Sequence, residues 1–303
     1  VPLAPARRPT RKPQARALFS YSSLIAGGAA IEVQPDRADR PADIAPPAIA
    51  RGIFAFARGP AAGQCLHHVL EHVDFARLDE PATTVLVRDS LDAFGLLAPE
   101  AHAGEIDPVA AVVQNLRDLA AARVHAGGPT LRALCGGTRA VEWEFTLPAN
   151  AGTLAQLAEV LRGSASAIAR VQAERLRALP PSRLDGFLVG FVDLLAEHDG
   201  RHWVLDWKSN HLGNAVADYG SDALAGAMAE HDYVLQYHLY VLALHRLLRA
   251  RLPGYDYDRH VGGVCYVFLR GATPDTATGM FHDRVPRDVV LAMDNWLAGG
   301  GSR

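Results

Sequence analysis

The sequence predicts an α/β protein, because segments with a helical hydrophobic stripe alternate with segments of strand character. Three observations carry that expectation. An apolar stripe recurs at helical spacing within residues 61–75; an Asp-Gly pair joins two apolar, β-branched runs between Phe187 and Lys208; and a long apolar helix from about His231 to Arg251 precedes an apolar strand at Val261–Leu269.

The elements follow in chain order. Residues 1–16 hold four Pro, five basic residues and no acid, so they read as a flexible basic linker or arm ahead of one domain at 17–303. Residues 34–47, rich in Pro, Asp and Arg, read as a surface loop. Leu66, Val69, Leu70 and Val73 fall at i, i+3, i+4 and i+7, which predicts a helix with one buried stripe and puts His67 and Glu71 together on a neighbouring face. Residues 80–135 read as mostly helical, an additional helical region before the hairpin. In 140–147, Val141, Trp143 and Phe145 alternate with Glu142 and Glu144, as a strand requires. Residues 155–179 read as one Ala-rich helix stopped by Pro180 and Pro181. There is no internal repeat.

Composition narrows the function. With 303 residues, 49% of them apolar and 21% charged, the chain has material for an ample core. Its 30 basic residues are 28 Arg and only two Lys, Lys12 and Lys208. A phosphate loop of the Walker type needs Gly-Lys followed by Ser or Thr, and neither lysine has that context, so the chain holds no such nucleotide site. Cys65, Cys135 and Cys265 are odd in number and form no C-x-x-C pair, which excludes a disulfide framework and a four-cysteine iron-sulfur cluster and makes a reducing cytoplasm the default. The net charge of -3 conceals an acidic body, near -8 once the arm is set aside, which argues against unspecific polyanion binding by the whole surface. No apolar run reaches the length of a membrane span, and Ser20, Tyr21, Ser22 and Ser23 interrupt any signal-peptide core. Val1 in place of an initiator methionine reads as a fragment of something longer.

The hairpin carries the chemistry. Asp199-Gly200 predicts a two-residue type I′ turn, which pairs His198 with Arg201 and, by the same register, Asp193 with Asp206. Facing carboxylates, with Cβ atoms roughly 4.5 to 5.5 Å apart, destabilise a sheet unless something offsets them. A divalent cation is the simplest remedy, since Mg²⁺ is commonly held by one or two carboxylates plus phosphate oxygens and water. Lys208 follows Asp206 by two residues and shares its face, where a compact ammonium can stabilise charge at a phosphate or position water. In a chain with fourteen Arg for each Lys, that lone lysine marks a place where a planar guanidinium will not serve. The plainer reading is an ion pair of Asp193 and Lys208 at a sheet rim.

The strings GFLVGFVDLL (Gly186–Leu195), LDWKSNHLG (Leu205–Gly213), YVLQYHLYVLALHR (Tyr233–Arg246) and GGVCYVFLRG (Gly262–Gly271) resemble the RecB-type nuclease domains of exodeoxyribonuclease V β subunits, within the PD-(D/E)xK nucleases. The resemblance implies a restriction-endonuclease-like core, a mixed central β-sheet flanked by helices. It implies Mg²⁺-dependent DNA cleavage in double-strand-break repair and recombination, with Mn²⁺ or Ca²⁺ able to replace Mg²⁺ in binding. Metal ligands carried over are His67 in GQCLHHVLE, Asp193, Asp206, the backbone carbonyl of Trp207 and, from EWEF, Glu142, with Glu144 as its rival. Catalytic positions are Asp193, Asp206 and Lys208, together with Gln236 and Tyr240 from the Q-x-x-x-Y pattern. Trp207 stands where related enzymes often have Tyr, a difference of packing alone. Implied partners are DNA as single strands or unwound ends, RecC-like and RecD-like subunits and the RecA recombinase, with no membrane. Arg270 at a strand end reads as either a phosphate contact or a rim arginine.

Two other classes compete. His68-Val69-Leu70-Glu71-His72 fits H-x-x-E-H, the inverted zinc metalloprotease signature, with Glu142 or Glu144 as a downstream third ligand. That reading leaves Asp193, Asp206, Lys208 and Gln236 without roles. A catalytically inactive nuclease fold, kept as a DNA-binding or docking module, is disfavoured because the acidic pair and the lysine are all present.

Overall fold

The computed structural model describes residues 17–25, 51–103, 105–180 and 183–299. The arm expected at 1–16 and the loop expected at 34–47 lie outside the described residues. The chain begins with β1 (Ala17–Phe19) and α1 (Tyr21–Ile25), followed by a helical block of α2 (Pro60–His72), α3 (Pro81–Ala93), α4 (Pro108–Ala121) and α5 (Leu131–Cys135). Next come β2 (Arg139–Thr153), α6 (Leu154–Arg162), α7 (Ala167–Ala178) and the hairpin β3 (Arg183–His198) and β4 (Arg201–Lys208). The remainder is α8 (Ser221–Glu230), α9 (Tyr233–Arg251), α10 (Tyr257–His260), β5 (Val261–Phe268), β6 (Met280–Asp283) and α11 (Arg287–Leu297).

Among the described residues the strands form one six-stranded mixed sheet. Neighbours β2–β3, β3–β4 and β5–β6 run antiparallel, whereas β1–β3 and β4–β5 are parallel. Helices cover both faces, as parallel neighbours require. On one face Leu157, Met228, Leu239 and Trp296 pack against Val204 and Tyr266; on the other Leu66, Leu116 and Leu134 pack against Leu205 and Val267. The hairpin sorts its residues accordingly. Trp203, Leu205 and Trp207 enter the core under α2–α5, while Val204 between them enters the core under α9. Asp206 and Lys208 therefore share the α9 side of β4.

The turn is as the sequence predicts: Asp199 (φ 51°) and Gly200 (φ 72°) both adopt left-handed backbone, and the register runs from His198↔Arg201 to Leu194↔Leu205. The helix expected over 155–179 is two helices. Gly163 ends α6, and the Ser166 side chain accepts from the Ala169 N–H to start α7. Alanine richness concealed this capping signal. The strand expected at 140–147 extends to Arg139–Thr153, because β2 runs along β3 for most of its length. Every residue of α9 from Tyr233 to His245 is buried, Gln236, His238 and His245 included, so this stretch is covered on all sides rather than along one stripe.

Arg270 is neither a phosphate contact nor a rim residue. It is 2% exposed, and its guanidinium donates to the carbonyls of Ile53 (2.5 Å), Phe56 (3.2 Å) and Ala57 (2.6 Å). The buried cation thus anchors the segment that leads into α2. Arg270→Met removes these donors and leaves the Phe56 and Ala57 carbonyls without the guanidinium, so urea unfolding is expected to show a loss of ~3 kcal/mol or more. Arg270→Lys should recover only part of this, since one ammonium cannot reproduce the guanidinium fork.

Candidate active site

The sheet has a notch, and β3 forms its floor. One edge of β3 is held by β2 from Arg183 to Ala196. The other edge is shared: β1 pairs with Gly186–Leu188, and β4 pairs with Leu194–His198. Residues 189–193 have neither neighbour on that edge. A cleft opens there, lined by Ser20, Tyr21, Phe145, Gly190, Gln236 and Tyr240 among others.

Asp193 stands at the lip where β4 parts from β3. In a two-residue hairpin the closing pair His198/Arg201 is hydrogen-bonded, and alternation makes Ala196/Trp203 and Leu194/Leu205 so too. Val192/Trp207 would be next. Instead the Trp207 N–H donates to Asp193 Oδ2 at 2.7 Å. The carboxylate replaces a ladder acceptor and lets the strands diverge. The predicted register holds as far as Leu194↔Leu205, and Asp193 and Asp206 are the next residues, just beyond the end of the ladder.

Asp206 and Lys208 form a buried couple, 3% and 4% exposed, with Lys208 Nζ 2.7 Å from Asp206 Oδ1. The ammonium is also 3.4 Å from Gln236 Oε1, 3.8 Å from the Tyr233 ring centroid and 5.2 Å from that of Tyr266. Gln236 is fixed from two sides: its Oε1 accepts from the Tyr266 hydroxyl, and its Nε2 donates to the Tyr240 hydroxyl, both at 2.9 Å. The i, i+4 spacing on α9 thus places an amide and a phenol in series behind the lysine. Two aromatic faces and an amide oxygen suit a compact ammonium better than a planar fork.

His67 projects from α2, 5% exposed, with Nδ1 3.7 Å from Asp193 Oδ2. Glu142 is bracketed by the pairs Val141↔Leu194 and Trp143↔Val192, which puts it level with Asp193, and it adopts left-handed backbone at φ 50°. Such a conformation is costly for a non-glycine residue and persists only where its surroundings enforce it. Glu144 pairs with Phe191, farther from the acidic pair, and is exposed. Register favours Glu142 over Glu144. Trp207 points into the opposite core and stacks on Phe75, centroids 6.3 Å apart, so its difference from Tyr is one of packing. Ser209 and Asn210 begin the loop after β4, where Asn210 Oδ1 accepts from the Tyr233 hydroxyl at 3.4 Å.

Burial pushes Asp206 up to about 7; Lys208 opposes that shift and the Asp193 charge adds to it. Without a cation, the folded protein retains a proton that the unfolded chain releases near its ordinary value of 3.8. Between those limits the folded state binds more protons, so the stability of metal-free protein should fall as pH rises from about 4 to about 7. Chemical denaturation in chelator should show this slope, and Asp206→Asn should remove it. A flat profile for the parent protein would mean that Asp206 is ionised throughout.

Asp193, Asp206 and His67 suit a divalent cation: the imidazole is 3.7 Å from Asp193 Oδ2, both groups act electrostatically on Asp206, and that buried carboxylate carries a desolvation cost that a cation would offset. Sequence reasoning missed Tyr233 and Tyr266. Tyr233 lies three residues before Gln236 on α9, but only the fold brings it to Lys208, and Tyr266 reaches the site through the β4–β5 register that pairs it with Asp206. It also left His68, Glu71 and His72 with a third ligand in β2, whereas Glu142 lies beside Asp193 instead.

Comparison with known proteins identifies the family. Residues 46–298 match the family model described as the PD-(D/E)XK nuclease superfamily. The chain is 36% identical over 250 residues to RecBCD enzyme subunit RecB of Escherichia coli (strain K12), covering 80% of this chain and 20% of that protein. It is 33% identical over 313 residues to RecBCD enzyme subunit RecB of Mycobacterium tuberculosis (strain H37Rv), covering 93% of this chain and 28% of that protein. The chain therefore spans about a fifth to just over a quarter of the length of these relatives. With its mixed sheet between two helical layers, and its acidic pair and lysine at the split between two strands, the chain belongs to the PD-(D/E)XK nuclease superfamily.

Proposed function

We propose that this chain is a Mg²⁺-dependent deoxyribonuclease domain that hydrolyses phosphodiester bonds within a longer RecBCD-type helicase-nuclease acting in double-strand-break repair. The single observation that carries this reading is the buried Asp206–Lys208 couple, held by Gln236, which itself lines the cleft. His67, Asp193, Asp206 and the carbonyl of Trp207 would hold the metal, with Glu142 as a further ligand or a support for bound water. Bound Mg²⁺ supplies Lewis-acid polarisation of the phosphate and charge neutralisation at it.

The chain's own residues do the rest. Lys208, paired with Asp206 and oriented by Gln236, places an ammonium beside the scissile phosphate. Gln236 and Tyr240 border the cleft as well as supporting the lysine, so they serve substrate placement too. The cleft's aromatic lining, with Phe145, Phe191 and Tyr21, suits stacked bases of a single strand. RecC-like and RecD-like subunits and the RecA recombinase are the partners this reading entails, in the cytoplasm; no helix among the described residues is long and apolar enough to cross a membrane.

The test is digestion of end-labelled linear single-stranded and double-stranded DNA by the chain, with and without Mg²⁺. Cleavage confined to the Mg²⁺ reactions is expected. If neither substrate is cut with Mg²⁺ or Mn²⁺ while DNA is still bound, the chain is a docking module instead.

A further inference from the structure

His68, Glu71 and His72 are not used by the nuclease reading, yet the structure gathers them. Their ligand atoms all lie within 4.8 Å of one another, at the last turn of α2. We propose that these three residues form a second metal site, selective for a borderline-soft divalent ion such as Zn²⁺ and separate from the acidic site that takes Mg²⁺.

Four features support it. The i, i+4 spacing of two histidines puts both rings on one helix face, and their centroids are 4.3 Å apart. His72 Nδ1 is 2.8 Å from the His68 carbonyl. A carbonyl can only accept, so Nδ1 carries the hydrogen and Nε2 presents its lone pair, the tautomer that a second hydrogen bond commonly fixes in metal-binding histidines. His68 is backed by the Phe94 ring at 6.1 Å, which limits its rotamers. The helix C-terminus supplies a negative dipole end beneath the site, which favours a cation.

The donor set decides the ion. Two imidazoles and one carboxylate suit Zn²⁺, Ni²⁺ and Cu²⁺, whereas Mg²⁺ prefers oxygen ligands and dehydrates reluctantly. Three protein ligands leave a fourth position open to water. The same arrangement argues against the protease reading: Glu71 lies among the ligand atoms, and Glu142 stands level with Asp193 in β2. A metal here closes the last turn of α2, the helix that carries His67 as the adjacent residue, and so staples the element that delivers His67 to Asp193.

Zn²⁺ titration of the whole chain by calorimetry in excess Mg²⁺, followed by Co²⁺ absorption, tests this. The parent protein and Asp206→Asn should both bind one equivalent of Zn²⁺, because Asp206 belongs to the other site. His68→Ala/His72→Ala should weaken that binding by more than ~100-fold, beyond what loss of an outer-shell partner costs a metal site. Intense visible bands of tetrahedral Co²⁺ should vanish with it, and Zn²⁺ should raise the thermal midpoint of the parent but not of the double variant. His72→Ala alone, at an exposed position, serves if the double variant does not fold. Unchanged Zn²⁺ stoichiometry and affinity in these histidine variants, or loss of binding in Asp206→Asn instead, would overturn the proposal.

Discussion

Lys208→Met is expected to reduce Mg²⁺-dependent DNA cleavage by ~10³-fold or more while preserving fold and metal binding. Methionine fills the channel between the Tyr233 and Tyr266 rings with similar volume and removes only the charge. Asp206 then loses its neutralising partner, and in metal-free protein it takes up a proton more readily, so the fold survives. Lys208→Arg should fail nearly as badly, since a planar guanidinium does not fit an aromatic and amide cage shaped around an ammonium. Circular dichroism and Mg²⁺ calorimetry separate a chemical defect from a structural one. Cleavage within ~10-fold of the parent in Lys208→Met would remove the lysine from the chemistry and leave it a buried ion pair.

A contrast of two substitutions at Asp193 should have a comparably large effect and separates its two roles. Asp193→Asn keeps an oxygen able to accept the Trp207 N–H but removes the charge that would face a metal. Cleavage should fall ~10³-fold or more. Stability in chelator should hold or rise, because repulsion with Asp206 is relieved. Asp193→Ala removes the acceptor as well, leaving the Trp207 N–H unpaired at the strand divergence, so it should cost a further ~1–3 kcal/mol in denaturant unfolding. Should Asn prove as destabilising as Ala without metal, the carboxylate is structural before it is catalytic.

Asp193 also shows how far a sequence can be read. The Asp-Gly turn determined the hairpin register, and that register carried the reading to Asp193 opposite Asp206, since period-two alternation leaves no freedom once a turn type is known. It could not show that the ladder stops one pair short, because that depends on Asp193 competing with the Val192 carbonyl for one N–H. Lys208 was legible from composition and from its spacing to Asp206. Its cage was not, because Tyr233 and Tyr266 arrive from α9 and β5, 25 and 58 residues farther along. Arg270 was misread for a related reason: a terminal strand arginine looks solvent-facing until the segment at 53–57 folds over it.

The Ala-rich stretch at 155–179 failed at the local level, where a Gly-Ser break outweighed helix propensity. Glu142 lies between these cases. Alternation placed Glu142 and Glu144 on one face, and only pairing with β3, together with left-handed backbone at Glu142, distinguished the one beside Asp193.

The sequence by itself determined the hairpin, its acidic pair and the lysine beside them, because turn chemistry and residue spacing are local properties of one short segment. Only the tertiary structure decided that β1 and β4 share an edge of β3 and leave a notch, that α2 brings His67 to Asp193, and that α9 and β5 enclose Lys208. Those contacts join residues far apart in the chain, and their positions are set by how two helical layers pack on one twisted sheet.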